Sequence, residues 1–147
     1  MQIKKAGQCW NQYAKLLLLG DESIDMIKTY IESCDIYLLC GNEVIGICAV
    51  QQGQNQIEIK NIAIREDMQH KGYGSMLLNG VLSLYRGKVK LALVGTGDSP
   101  ATLPFYKSLG FFYSHRIKDF FTNNYDHPII ECGVILKDMI YLKKYID

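Results

Sequence analysis

The sequence lacks the features that mark several large classes of protein. Its 147 residues carry 16 basic and 15 acidic side chains, so the formal net charge is only +1. Binding to nucleic acid or to an anionic membrane surface normally depends on clustered basic charge, and we therefore expect neither partner. No stretch approaches the roughly 18 apolar residues of a transmembrane helix, so we also expect no membrane span.

The cysteines fit neither a disulfide framework nor a zinc site. There are five of them, none in a C-x-x-C pair, and the three histidines do not stand at zinc-ligand spacing from them. We therefore expect no metal, and reduced thiols that pack as small apolar residues. The N-terminal segment has no apolar core of signal-peptide length. Reduced thiols and the missing signal peptide together favour a cytoplasmic location.

Apolar periodicity predicts an α/β protein with a mixed sheet. We see no repeat or linker, and the length suits one domain over residues 1–147. An edge strand near Ile3 comes first. A helix over 8–19 follows, and Asp21, Glu22 and Ser23 are candidate caps of a second helix with Ile24, Ile27, Tyr30 and Ile31 on one face. The other predicted elements are strands over 36–40, 43–52 and 56–64, a helix over 73–86, a strand over 88–95, a short helix ending at Gly110, a strand over 111–117, a loop over 118–132 and a strand over 133–144. The order is β-α-α-β-β-β-α-β-α-β-β, with one parallel pair inside the sheet.

A short polar stretch, QHKGYG (69–74), separates the predicted strand 56–64 from the following helix. The first turn of a helix leaves backbone N–H groups without partners, and these attract anions. Glycine lets a phosphate approach the backbone closely. The stretch is neither a Walker A loop nor a Rossmann fingerprint, so the two glycines fit a phosphate cradle or a simple tight turn.

Two motifs in this order resemble the GNAT superfamily of N-acetyltransferases. The family carries [QR]-x-x-G-x-[GA] between its fourth strand and third helix, and Gln69–Gly74 matches that pattern. It also carries F-Y-x-x-x-G-F, which Phe105–Phe111 matches. One helix and one strand separate the two motifs, as in the family. The predicted element order is similar to that of the family over nearly the whole chain, which implies a GNAT-like acyl-CoA N-acyltransferase fold.

The resemblance implies acetyl-CoA as co-substrate and a primary amine as acceptor, on either a small molecule or a peptide or protein, with direct transfer in a ternary complex. In the family, the loop N–H groups bind the pyrophosphate and the end of the fourth strand binds the pantetheine arm between two separating strands. The positions that this implies for binding acetyl-CoA are Ile62, Ala63, Ile64, Gln69, His70, Lys71, Gly72, Tyr73, Gly74, Ser75, Ser99 and Tyr106.

Two residues are candidates for proton transfer. The family's motif tyrosine, here Tyr106, commonly protonates the leaving thiolate, although Tyr106 could instead be a packed aromatic residue. Some members use a strand glutamate as general base, and the residue fourteen positions before Gly72 is Glu58. Glu58 could equally be a solvent-facing residue paired with Lys60 or Lys90.

The chain departs from the family pattern before the second motif. Many relatives have Asn six positions before the motif Phe, where this chain has Ser99, followed by Pro100. Ser99 as N-cap and Pro100 at the first position predict a helix start there. Pro104 inside the same helix removes a backbone donor, which predicts a kink or a later start.

The acceptor is the least specified partner. The family builds its acceptor pocket from the helix 1–2 region and the loop before the last strand. The candidates there are Glu22, Asp25, Tyr30, Tyr125, Asp126, His127 and Glu131. The segment DFFTNNYDHPIIEC (119–132) is aromatic and acidic, which suits a cationic amine, but it fits a solvated loop with packed phenylalanines at least as well. Two other functions stay open, a non-catalytic acyl-CoA-binding regulatory module and a nucleotide-binding or interaction domain. A homodimer stays open as well.

Overall fold

A twisted sheet of seven strands forms the centre of the protein. The computed structural model describes residues 1–7 and 9–146. The strands of this sheet are β1 (Gln2–Lys5), β2 (Cys34–Cys40), β3 (Val44–Gly53), β4 (Gln56–Ile64), β5 (Leu91–Gly97), β6 (Phe112–Ile117) and β9 (Met139–Tyr145). Two further short strands, β7 (Ile130–Glu131) and β8 (Val134–Ile135), lie outside it. The helices are α1 (Ala14–Gly20), α2 (Ile24–Tyr30), α3 (Tyr73–Tyr85), α4 (Leu103–Ser108) and α5 (Phe120–Asn124).

The strand order in the sheet is β1-β2-β3-β4-β5-β9-β6, and β7 and β8 form a separate hairpin. All neighbours are antiparallel except β4 and β5, which are parallel and are joined through α3. A parallel pair requires a crossover of this kind. The predicted mixed sheet with one parallel pair is therefore confirmed.

Two apolar cores lie on opposite faces of the sheet. Helix α3 contributes Leu77, Leu78, Val81 and Leu82 to the first core, together with residues of β4, β5 and α4. These leucine and valine positions recur at helical spacing, so one face of α3 is apolar throughout. Helices α1 and α2 cover the other face, where the second core lies.

The second helix begins where its sequence predicts. The hydroxyl of Ser23 accepts a hydrogen bond from the backbone N–H of Met26 at 3.2 Å, which caps the first turn of α2. The first helix differs from the prediction. Trp10–Tyr13 form a 3-10 turn before α1, α1 itself ends at Gly20, and Gln8, at the predicted start, lies outside the described residues.

The predicted loop over 118–132 and strand over 133–144 are both partly wrong. Helix α5 lies inside the predicted loop, and the predicted strand is divided into β8 and β9. A tight turn causes the division. Cys132 and Gly133 both have positive φ, 49° and 75°, as in the two-residue hairpin turns that match the twist of antiparallel strands.

The predicted helix start at Ser99 is also wrong. Helix α4 begins at Leu103, and the Ser99 hydroxyl accepts a hydrogen bond from the N–H of Ala101 at 3.0 Å within the preceding turn. Pro104 therefore lies in the first turn of α4, where a missing N–H leaves no helical hydrogen bond unmade. The later start, one of the two predicted consequences of Pro104, is what the structure shows.

No helix in residues 1–7 and 9–146 combines the length and the apolar character that crossing a membrane requires.

The first core yields a stability prediction. Leu77 of α3 is fully buried, so Leu77→Ala removes apolar contacts and leaves a void. We expect the free energy of unfolding in urea to fall by about 2–5 kcal/mol. Leu84 lies on the same helix and is 47% exposed, so Leu84→Ala is the matched control and should change that free energy by less than about 0.5 kcal/mol. Equal losses for both variants would contradict the assignment of the buried face.

Candidate functional site

The parallel strands β4 and β5 pair only over their first four residues. Gln56–Ile59 lie opposite Leu91–Val94, and the pairing ends there, although β4 continues to Ile64 and β5 to Gly97. The two strands therefore diverge beyond Ile59 and Val94. The backbone of β4 after Ile59 keeps its hydrogen bonds to β3 on one side and leaves its other edge open towards the gap.

A β-bulge in β4 directs side chains at this opening. Val50 of β3 pairs with Ile59 and Ala49 pairs with Asn61, so Lys60 has no partner on β3. Beyond the bulge, Ile62 and Ile64 pack towards the core under α3, whereas Ala63 packs towards the core under α1. The extra residue thus sets which side chains face the opening.

A groove of about 460 Å³ lies on the α3 side of the opening. It is lined by the end of β4, the loop before α3, and α4. The lining residues are Leu19, Ile62, Ala63, Ile64, Met68, Gln69, His70, Gly72, Tyr73, Gly74, Ser75, Ala101, Thr102, Phe105 and Tyr106. The structure thus places ten of the twelve residues predicted to bind acetyl-CoA along one surface. Lys71 and Ser99 are not among its lining residues.

The loop before α3 has the backbone of an anion cradle. His70 and Gly72 have positive φ, 61° and 87°, and α3 begins directly after Gly72. The side chain of Gln69 donates a hydrogen bond to the carbonyl of Ile64 at 2.9 Å, which fastens the loop to the end of β4. The first residues of α3 line the groove, so the positive end of the helix dipole lies at its wall.

A second cavity of about 300 Å³ lies on the other side of the opening, between α1, α5 and the β7–β8 hairpin. Its walls combine acidic, aromatic and aliphatic side chains. The lining residues are Leu19, Gly20, Asp21, Glu22, Ile59, Lys60, Asn61, Ile62, Val94, Gly95, Thr96, Gly97, Thr102, Tyr106, Phe121, Tyr125, Ile129, Glu131, Leu136 and Met139.

Tyr106 lies where the groove and the cavity meet, because it lines both of them. Its side chain is 6% exposed and packs edge-to-face against Phe105 and Phe111. Burial raises the pKa of the Tyr106 phenol above its ordinary value, with further contributions from Cys48 and Glu131. The phenol therefore keeps its proton at neutral pH and can act as a donor.

Glu58 lies away from this meeting point. Its carboxylate accepts hydrogen bonds from Lys60 at 3.1 Å and from the hydroxyl of Tyr141 at 3.0 Å. Glu58 is not among the residues that line the cavity, whereas its partner Lys60 is. The alternative pairing with Lys60 is thus present in the structure, and a role as general base stays a prediction.

Asp21 links two distant segments at the cavity wall. It accepts hydrogen bonds from the Tyr30 hydroxyl at 3.1 Å, from the Tyr125 hydroxyl at 2.8 Å and from the Ser23 N–H at 3.2 Å. Tyr125 is 104 residues further along the chain. The bond therefore fastens the α5 segment to the turn between α1 and α2.

The end of α1 packs very closely on β4 beside the cavity. Asn61 is 4% exposed and donates to the carbonyl of Leu17 at 2.9 Å and to the Tyr30 hydroxyl at 3.2 Å. A Cβ at Gly20 would lie only 3.0 Å from the carbonyl oxygen of Ile62 and would overlap the carboxamide of Asn61. Glycine at this position therefore allows α1 to reach the strand.

Of the seven acceptor candidates, three line the cavity: Glu22, Tyr125 and Glu131. Asp25, Tyr30, Asp126 and His127 do not. Burial raises the pKa of the Glu131 carboxyl, the nearby charge of Glu22 raises it further, and a hydrogen bond from Ser99 opposes the shift. Both carboxylates line the same cavity, where Glu131 is half-buried and Glu22 is exposed.

The sequence did not indicate several lining residues. Leu19 and Thr102 line both spaces, and Asp21 lines the cavity. Leu19 belongs to an apolar helical run whose approach to β4 depends on tertiary packing. Asp21 is a candidate helix cap in the sequence, and an acidic residue at the turn between two helices of the acceptor region was a usable signal.

Comparisons with known proteins agree with this geometry. A family model described as "Acetyltransferase (GNAT) domain" matches residues 32–112, more than half of the chain. The curated protein "Uncharacterized N-acetyltransferase YvbK" of Bacillus subtilis (strain 168) is 36% identical over 154 aligned positions, which cover 100% of this chain and 96% of that protein.

Solved structures are similar over almost the whole chain. A GNAT family acetyltransferase from Elizabethkingia anophelis with acetyl-CoA bound is 35% identical, with a TM-score of 0.91 over 98% of this chain and 97% of that one. The IAA acetyltransferase from Bacillus cereus ATCC 14579 is 32% identical, with a TM-score of 0.90 over 98% of each chain. The resemblance predicted from the two sequence motifs is confirmed, and the chain belongs to the GNAT family of N-acetyltransferases.

Proposed function

We propose that the protein transfers an acetyl group from acetyl-CoA directly to a primary amine, with both substrates bound at once. One observation carries the proposal: Tyr106 lines both the groove and the cavity. A donor bound in the groove and an acceptor bound in the cavity would therefore meet at this side chain. The division of the space at Tyr106 supports two binding sites for a single reaction.

The groove residues fit the chemistry of acetyl-CoA. Space is open around Gly72, where a Cβ would have no atom within 4 Å, so an anion can approach the backbone of the loop. The open edge of β4 over Lys60–Ile64 offers N–H and carbonyl groups to a ligand that carries amides. Acetyl-CoA, when bound, supplies an activated acetyl group as a thioester. The similar acetyltransferase from Elizabethkingia anophelis has acetyl-CoA bound.

In this proposal Tyr106 is the proton donor. A thiolate that leaves in a buried site is stabilised by a proton from a neighbouring O–H group. The Tyr106 phenol is protonated, buried and positioned between the two spaces. Backbone N–H groups on the open edge of β4 are suited to stabilise negative charge on the acyl oxygen.

The arrangement supports direct transfer without a covalent enzyme intermediate. A cysteine nucleophile would need to reach the thioester, and no cysteine of the described residues lines either the groove or the cavity. The amine arrives mainly as an ammonium ion and must lose a proton before it attacks. Glu58 stays one predicted base, and the carboxylates of the cavity are others. A single domain over 1–147, a cytoplasmic location and a homodimer stay predictions.

The anion cradle predicts a specific loss of acetyl-CoA affinity. Gly72→Ala places a side chain in the left-handed region, at a cost of about 1–2 kcal/mol, and directly beside the N–H groups of the loop. We expect the dissociation constant for acetyl-CoA, measured by calorimetry, to rise at least about tenfold. Calorimetry with ATP and NADH on the unaltered protein should give no comparable binding.

Gly87→Ala is the matched control for this experiment. Gly87 follows the other end of α3, has φ of 82° and is equally free of neighbours. The substitution therefore brings similar backbone strain without touching the groove. If both variants bind acetyl-CoA as the unaltered protein does, the loop is only a turn. If the unaltered protein does not bind acetyl-CoA, the proposed function is lost.

Tyr106→Phe tests the proton donor. The substitution removes one hydroxyl and keeps the ring, so acetyl-CoA affinity should change little. We expect kcat for acetyl transfer to fall by about 10²–10⁴-fold, the range for loss of a general acid. Release of free thiol from acetyl-CoA, screened over a set of amines, gives the rate.

Tyr37→Phe is the control, because Tyr37 is also a buried tyrosine, but its hydroxyl bonds to Tyr85 in the first core. The kcat of Tyr37→Phe should stay within about twofold of that of the unaltered protein, since the surroundings of the groove are unchanged. Unchanged turnover in Tyr106→Phe would refute the donor assignment while leaving the acetyl-CoA proposal intact.

A further inference from the structure

The cavity carries an excess of negative charge. Asp21, Glu22 and Glu131 line it, and among residues 1–7 and 9–146 Lys60 is the only cationic residue that does so. Lys60 is already paired with Glu58 and lies 5.4 Å from the centre of the Tyr30 ring. None of the three lining carboxylates forms an ion pair in the described part of the chain. The cavity therefore lacks the positive charge that would balance it.

The carboxylates lie at different depths. Tyr106 is buried at the meeting point, Glu131 is half-buried and Glu22 is exposed. All three groups line the same cavity, and their burial orders them from the interior to the rim. Glu131 is thus the carboxylate placed to receive a proton close to Tyr106.

Asp21 has a structural role that Glu22 and Glu131 do not share, because its carboxylate oxygens already accept three hydrogen bonds. It holds Tyr125 in the wall, and the rings of Tyr125 and Phe121 stack with their centres 5.6 Å apart. Aromatic faces attract cations and also contact aliphatic chains. This wall suits a cation that is carried on methylene groups.

The volume suits a small acceptor. About 300 Å³ is at the lower end of small-molecule pockets and is enough for a short aliphatic chain. An acceptor with one amine would place a single positive charge against two unpaired carboxylates. An acceptor with a second amine would balance both of them.

We propose that the acceptor is a short aliphatic diamine or polyamine, which loses a proton to Glu131 at its reacting nitrogen and binds Glu22 through a distal ammonium group. This inference rests on the proposed function and adds the substrate class and the general base. Glu131 takes this role rather than Glu58, because Glu58 is outside the cavity and already bonded to Lys60 and Tyr141.

The protons balance over the reaction. The reacting ammonium gives one proton to the Glu131 carboxylate, which later releases it to solvent. The neutral nitrogen then forms the C–N bond to the acetyl carbon while the C–S bond breaks. The sulfur takes the Tyr106 proton and leaves as a thiol. The nitrogen loses a second proton, which restores Tyr106.

The test compares four amines at saturating acetyl-CoA, with thiol release as the readout. The probes are 1,4-diaminobutane, spermidine, n-butylamine and 4-aminobutanoate. n-Butylamine has the same chain as 1,4-diaminobutane without the distal charge, and 4-aminobutanoate reverses that charge. We expect kcat/KM for 1,4-diaminobutane and for spermidine to exceed that for n-butylamine at least about tenfold, and 4-aminobutanoate to be the poorest.

Two isosteric variants separate the two carboxylates. Glu22→Gln should raise KM for 1,4-diaminobutane and bring its advantage over n-butylamine below about threefold. Glu131→Gln should lower kcat for both amines by about 10²-fold or more while acetyl-CoA still binds. Glu32→Gln is the control, because Glu32 is an exposed carboxylate that bonds to Trp10 and does not line the cavity. It should leave all rates unchanged.

The outcomes are distinct. Equal rates for n-butylamine and 1,4-diaminobutane, or a preference for 4-aminobutanoate, would overturn the inference while leaving the acetyltransferase proposal in place. No turnover of any diamine by protein that binds acetyl-CoA would also overturn it. Full kcat in Glu131→Gln would remove Glu131 as the base. Failure of acetyl-CoA itself to bind would overturn the proposed function and this inference together.

Discussion

The separation of β4 from β5 is the constraint on which the rest of the molecule depends. Parallel neighbours in a sheet normally stay paired, since every unpaired backbone group that is shielded from water costs free energy. Here the pairing ends at Ile59 and Val94, and the bulge at Lys60 turns the following side chains to new faces. Tyr106 of α4 and Leu19 of α1 line both spaces at this gap. The groove and the cavity are the two halves of this gap.

The parts of the fold and of the candidate site that could be predicted from the sequence are those that depend on interactions between neighbouring residues. The α3 helix, the hairpins before it and the glycine loop are set by neighbouring residues, such as the apolar positions of α3 and the positive φ of Gly72. Most of the groove was therefore predictable from the motif residues. The start of α4 was wrongly predicted at Ser99, because a later start that places Pro104 in the first turn is equally favourable. Local sequence preferences do not distinguish these two starts.

The cavity was much less predictable, because its walls come from segments that are far apart in the sequence. The hydrogen bond between Tyr125 and Asp21 joins residues 104 positions apart, and nothing in either local sequence indicates the other. The division of the last predicted strand has a similar cause. The turn at Cys132 and Gly133 requires positive φ at a cysteine, which local propensity does not favour. That turn directly follows Glu131 and so determines where its carboxylate lies.

The segment around α5 and the β7–β8 hairpin has an apolar cluster of its own, made of Phe121, Ile129 and Leu136. It packs separately from the two cores that stabilise the sheet. Substitutions in this cluster change distinct contacts from those that shape the groove, and effects at sites without shared partners are close to additive. The wall of the cavity can consequently diverge in sequence while the loop before α3 stays constant. Related chains can in this way change the cavity without rebuilding the sheet.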